Sequence, residues 1–138
     1  MSGKVRVIKS KNLALIKEMD AKCFPDEPLE DAHEHTWFVA FVDGKPAGYA
    51  AFKVWAGDIV FLSRAGVLEE HRGHGIQKKL IKAREKHALR LGAKWAVTYT
   101  WMYGVYSPNS LISCGYKLFR PQNQWAGSDW LYWRKKLT

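Results

Sequence analysis

The chain has 138 residues, 47% of them apolar, with seven Trp, six Tyr and six Phe, and a formal net charge of +9. That is one domain's worth of core, spanning 1–138, with anionic partners to expect. No apolar run is long enough to span a membrane, the start at Met1 lacks the apolar stretch of a signal peptide, and Cys23 and Cys114 fit neither a disulfide framework nor a metal site, so the expectation is a reduced, cytoplasmic chain with no metal and no membrane partner.

Val5 to Ile8 reads as a short strand. Asn12 can cap a helix over Leu13 to Cys23, in which Leu15, Ile16, Met19 and Cys23 follow helical spacing. Phe24-Pro25 ends that helix, and Pro28 predicts a short acidic helix through about His33. Trp37 to Val42 and Pro46 to Val54 are strand-like runs joined through Asp43-Gly44, a strong hairpin signal. Ala56-Gly57 turns into a third strand at 59–67, giving an antiparallel meander. The next helix runs from Ile76 to about Leu91, with Ile76, Leu80, Ala83, His87 and Leu91 on its apolar face and Gly92 to stop it. Trp95 to Thr100 is again a strand, and strand–helix–strand requires a right-handed crossover between parallel strands. A further helix starts near Ser107-Pro108 and ends before Gly115, and strands near Tyr116–Phe119 and Trp130–Lys135 follow. The fold class is α/β of the α+β type: a mixed six- to seven-stranded sheet, in the order β-α-α-β-β-β-α-β-α-β-β, with helices on both faces.

Charge is distributed unevenly. Helix 76–91 carries Lys78, Lys79, Lys82, Arg84, Lys86 and Arg90 against Glu85 alone, whereas Asp26, Glu27, Glu30, Asp31 and Glu34 crowd one short segment without a cation.

The stretch from Val67 to Lys78 is the most informative. A strand ends in the turn Arg72-Gly73-His74-Gly75, and a basic helix begins at once. The first N–H groups of a helix have no partners within it, and its dipole adds partial positive charge. Glycines let a ligand approach the backbone closely, so the turn is a candidate pyrophosphate cradle.

Arg72-Gly73-His74-Gly75-Ile76-Gln77 resembles the acetyl-CoA motif of the Gcn5-related N-acetyltransferases (GNAT), Gln/Arg-x-x-Gly-x-Gly/Ala, with Gln77 where Gly or Ala is usual. The element order agrees over essentially the whole chain, as do Cys23-Phe24-Pro25, the Asp43-Gly44 hairpin and Gly115-Tyr116. The resemblance implies a single N-acetyltransferase domain that binds acetyl-CoA and acetylates a primary amine by direct attack in a ternary complex. Pantetheine would lie along Ala65, Gly66 and Val67, and an amide near Val67 would polarise the thioester carbonyl. The pyrophosphate would sit on the amides of Gly73, His74, Gly75, Ile76, Gln77 and Lys78, next to Arg72.

Deprotonating a lysine-like amine at pH 7 costs roughly 4–5 kcal/mol, so a general base is expected. The family often places a glutamate on one of the two central strands; the fitting positions here are Phe61 and Tyr99. The family's Asn-x-x-Ser/Ala and its tyrosine acid fall on Gly104, Ser107 and Leu111, of which only Ser107 fits, as a cofactor contact. Tyr99 and Tyr106 are the catalytic candidates, with Tyr103 beside them. Glu30 and Asp31, from the acidic segment, are the candidates for holding a cationic acceptor. His33, Glu34 and His35 add no metal-ligand spacing to that segment. The rival reading is a catalytically reduced CoA-binding or nucleic-acid-binding protein on the same scaffold. A homodimer stays open, and a nucleic-acid partner is open but disfavoured.

Overall fold

The computed structural model describes residues 3–104 and 106–138, Tyr106 by its backbone alone. Seven strands form one sheet: β1 (Val5–Ser10), β2 (Thr36–Val42), β3 (Lys45–Ala56), β4 (Ile59–Val67), β5 (Trp95–Trp101), β6 (Lys117–Phe119) and β7 (Trp130–Lys136). Their order in the sheet is β1-β2-β3-β4-β5-β7-β6. Three α-helices join them: α1 (Leu13–Cys23), α2 (Ile76–Arg90) and α3 (Tyr106–Ser113). The sheet is mixed, because among the described residues only β4 and β5 run parallel, as the crossover through α2 requires. Among the described residues no helix is long and apolar enough to cross a membrane.

The central strands are buried on both faces, so they read as continuous apolar runs rather than as alternation. On β2 and β3, Phe38, Ala40, Ala50 and Phe52 turn toward α2 and join Leu80, Ile81 and Ala88 in one core. The intervening Trp37, Val39, Tyr49 and Ala51 turn the other way and pack on Ile16 and Met19 of α1. The local signals are realised where they were strongest. The Asn12 side chain accepts a hydrogen bond from the Leu15 amide at 3.2 Å, and Asp43 and Gly44 both adopt the left-handed backbone (φ 50° and 81°) of a tight hairpin turn.

Two local expectations give way. The acidic helix through His33 shrinks to a 3-10 turn at Ala32–Glu34, because Asp31 is left-handed (φ 52°) and interrupts any helix running through it. On α2 the buried stripe is Ile76, Leu80, Ile81, Arg84, Glu85 and Ala88, while Leu91 lies past the helix end and is exposed. Arg84 therefore does not belong to a solvated basic face. It is 3% exposed and donates to the Ala51 carbonyl at 3.0 Å and to the Leu80 carbonyl at 3.2 Å. Burial lowers its guanidinium pKa to about 10, which still leaves it charged at neutral pH.

Candidate active site

The site begins where two neighbouring strands part. β4 and β5 pair only over Ile59–Phe61 and Trp95–Val97. Past that point the Leu62 carbonyl takes the Thr98 hydroxyl as its donor at 2.8 Å, and the strands separate. β4 also carries a bulge: Ala51 pairs with Arg64 and Phe52 with Leu62, so Ser63 is an extra residue. A bulge bends its strand and re-aims the side chains that follow. The resulting cleft, of about 660 Å³, is lined among others by Ser63, Arg64, Ala65, Gln77, Tyr99 and Leu111.

Beyond the bulge, β4 pairs regularly with β3 again, Ala50 with Ala65, Tyr49 with Gly66 and Gly48 with Val67. The Leu68 amide donates to the Ala47 carbonyl at 2.8 Å. Antiparallel pairing alternates its hydrogen-bonded positions, so Leu68 and Gly66 face β3. The backbone groups of Ala65 and Val67 face away from it, into the gap left by β5. The Val67 carbonyl is occupied, since Arg72 Nε donates to it at 3.0 Å and the Cys23 thiol approaches it at 3.7 Å. Arg72 thus fastens the end of the strand to the turn that follows.

That turn needs glycine for its backbone. Gly73 and Gly75 have φ of 84° and 75°, and nothing lies within 4 Å of where a Cβ would be on either. Gly75 is the N-cap of α2, no side chain caps the helix, and its first turn has no acid. The leading amides of α2 therefore face outward without an internal partner. Ile76 is buried beneath them, and Lys78 is exposed. Gln77 reaches across to α3, where its Nε2 donates to Ser107 Oγ at 3.2 Å. The residue that departs from the family motif is thus the one that ties α2 to α3. His74 instead lines a smaller cavity of about 400 Å³ with Asp43, His71 and Lys79.

At the other end of the cleft the wall is aromatic and ionic. Tyr99 stacks on Phe61 at 5.7 Å, and Trp130 meets Tyr99 edge-on at 5.1 Å. Arg64 lies over the Phe24 ring at 4.7 Å. Its guanidinium grips Asp20 through two bonds of 2.8 Å and donates to the Glu27 carbonyl at 2.8 Å. The Glu27 carboxylate is 3.7 Å from Arg64 and largely exposed. Two carboxylates around one guanidinium leave this wall with one net negative charge. Donating hydrogen bonds to the Asp20 carboxylate raises the Arg64 pKa, so that cation is fixed.

The sequence-level candidates divide. Ala65, Gln77, Tyr99 and Ser107 share the cleft, and Leu111, at the family's tyrosine position, lines it too. Glu30 and Asp31 are exposed and outside the lining, which takes Glu27 from the same segment. Tyr103 is 73% exposed at the end of β5, and the Tyr106 side chain lies outside the described residues. Sequence reasoning missed a contact at the bulge: His35 Nδ1 and Ser63 Oγ are 2.7 Å apart. No spacing rule joins residues 28 apart in the chain. The signal that could have found them is the two-residue count through β4, which a bulge breaks.

The sequence profile of the acetyltransferase (GNAT) family matches residues 10–106. No protein of curated function matches the chain in sequence. The fold is similar to that of the ribosomal-protein-S18-alanine N-acetyltransferase from Escherichia coli, with a TM-score of 0.79 at 11% identity over 98% of this chain and 95% of that one. It is also similar to a Bacillus subtilis acetyltransferase in complex with CoA, with a TM-score of 0.79 at 16% identity over 98% of this chain and 100% of the other. A third likeness is yncA from Salmonella typhimurium with its cofactor acetyl-CoA, with a TM-score of 0.77 at 18% identity over 97% of this chain and 94% of that one. With the profile matched over more than half its length and a sheet split beside a glycine turn, the chain belongs to the acetyltransferase (GNAT) family.

Proposed function

We propose that this chain binds acetyl-CoA in the split between β4 and β5 and passes its acetyl group to a primary amine by direct attack. The observation that carries this reading is the unpaired edge of β4, which opens on the cleft at Ala65 and leads through the glycine turn to the uncapped start of α2, where Gln77 lines the same cleft. The bound group would supply an activated acyl carbon as a thioester. The residues fit it part by part. Ala65 and Val67, flanking Gly66, offer backbone donors to the amide-bearing arm and to the thioester oxygen. Gly73 to Lys78, with their open glycines and helix dipole, suit a pyrophosphate. Ser107, held by Gln77, adds a hydroxyl.

The acceptor would enter from the Phe24 and Glu27 side, where the net negative charge favours a cationic amine. Glu30 and Asp31 extend that potential outward. With Leu111 at the acid position, the leaving sulfur has an apolar neighbour, so its proton comes from elsewhere. Tyr99 serves as acceptor wall in this reading, while Tyr106 is kept as the candidate hydroxyl that the sequence offers.

Gly75→Glu tests the cofactor half. It adds a negative charge at the pyrophosphate position and a side chain on a backbone with φ of 75°. Calorimetry with CoA should show affinity lost by 100-fold or more (about 2.7 kcal/mol) in a folded variant. Unchanged affinity would sink the assignment. Amine-dependent release of free thiol from acetyl-CoA, run across an amine panel, tests the transfer itself. Binding without release would instead favour a catalytically reduced CoA-binding protein.

A further inference from the structure

We propose that Ser63 and His35 form the relay that removes the proton from the attacking amine, an inference that rests on the acetyl-transfer reading above. Three observations converge on this pair. Neither Phe61 nor Tyr99, at the positions where the family often holds its base, is a carboxylate. Ser63 is the inserted residue of the β4 bulge and lines the cleft. Its Oγ is within 2.7 Å of His35 Nδ1.

His35 is well placed to serve as the final proton store. It follows the 3-10 turn at Ala32–Glu34, is half-buried, and packs at 5.4 Å against the Trp37 ring, which holds its orientation. The charges facing it come from three directions. Lys53 on β3 and Arg64 on β4 oppose protonation, while Glu34 and Asp31 on its own segment favour it. Burial is the largest influence, and the net effect holds the imidazole below its usual 6.5. At neutral pH the ring is thus in its basic form.

The proton count closes. An ammonium acceptor and a thioester become an amide, a thiol and one free proton. In the Nε2–H tautomer of His35, the Ser63 hydroxyl donates to Nδ1. Ser63 Oγ takes a proton from the ammonium nitrogen as its own proton moves to His35 Nδ1, and the imidazolium then returns that proton to solvent. The freed nitrogen lone pair forms the C–N bond, the C–S bond breaks with its electron pair on sulfur, and the second N–H proton accounts for the thiol. Ser63 touches the reacting nitrogen in this scheme, and His35 acts through it.

A purely structural Ser63–His35 bond would fasten the 3-10 turn to β4 and nothing more. Three variants of the full chain separate the two roles: His35→Gln, Ser63→Ala and the double variant. With an amine accepted by the unmodified chain, kcat should fall about 100-fold or more in each single variant, and the double variant should be no slower, because the two residues act as a unit. CoA affinity by calorimetry should stay unchanged. The acidic limb of kcat/KM should disappear in His35→Gln and coincide, in the unmodified protein, with the His35 titration followed by NMR. If His35→Gln fails to fold, Ser63→Ala decides by the same criteria. An unaltered pH profile, or a His35 midpoint at or above 6.5, would overturn the relay while leaving the acetyl-transfer reading intact. Intact CoA binding with no amine-dependent thiol release by the unmodified chain would overturn both.

Discussion

Asp20 is 2% exposed on the sheet side of α1, and an unpaired charge there would cost several kcal/mol. It is supported instead by the Tyr49 hydroxyl at 2.6 Å and by two bonds of 2.8 Å from Arg64. Burial, and then the Asp20 carboxylate, push the Tyr49 phenol well above its ordinary pKa, so it remains a donor. Gly66 is needed here for space, since a Cβ would lie 2.6 Å from the Tyr49 hydroxyl oxygen and 2.8 Å from the ring. Gly66→Ala should therefore displace Tyr49 and cost about 1–3 kcal/mol. Tyr49→Phe in the same background should interact with it by more than about 0.5 kcal/mol in a double-mutant cycle of urea unfolding. Additive effects would show that the two positions do not compete for one space. Little of this cluster was legible beforehand. An aspartate within an amphipathic helix reads as solvent-facing, and its arginine is 44 residues away.

Strands and helices were far easier to read. Asp43-Gly44, the apolar runs on either side of it and the glycine turn before α2 are local signals, and each produced its element. What resisted reading was non-local. The 3-10 turn replaced a helix because of one backbone angle at Asp31. The face of α2 rotated because Arg84 finds acceptors inside, at Ala51 and Leu80. The glycine turn before α2 was legible because its signal lies in consecutive residues, whereas the wall proposed for the acceptor is assembled from α1, β4, β5 and β7. The parting of β4 from β5 makes a directional prediction. Hydrogen exchange at the Ala65 and Val67 amides should slow when CoA is added, while Gly66 and Leu68, already turned to β3, should change little. Equal slowing at all four positions would mean general tightening rather than pairing along the free edge.

For the whole molecule, two histidines add acid sensitivity just below neutral pH. His87 packs edge-on against Phe38 at 5.8 Å and near Phe52 at 5.9 Å. Burial, with Lys9 and Arg90 nearby, holds its pKa below 6.5, and His35 is lowered as well. For a base with a depressed folded-state pKa, the unfolded chain binds the proton first. Their contribution to stability is thus complete above 6.5 and is lost as pH falls from there through the folded-state values. The urea midpoint should drop between about pH 7.5 and about pH 5.5, and less steeply in His87→Gln. An equal slope in that variant would remove His87 from the explanation. The bulge at Ser63 has a consequence of a different kind, in the arithmetic of chain length. Side chains along a regular strand alternate between faces. Leu62 packs toward α2, Arg64 faces Asp20 and Ala65 turns back toward α2, so the alternation passes from Leu62 to Arg64 without counting Ser63. Without Ser63, Phe52–Leu62 and Ala51–Arg64 would be successive pairs of an unbroken ladder, the guanidinium would keep Asp20, and the bend with its residue in the cleft would be lost. Ser63 is therefore the one position of β4 whose deletion should spare the fold, whereas loss of a residue that the ladder does count would invert the side chains beyond it.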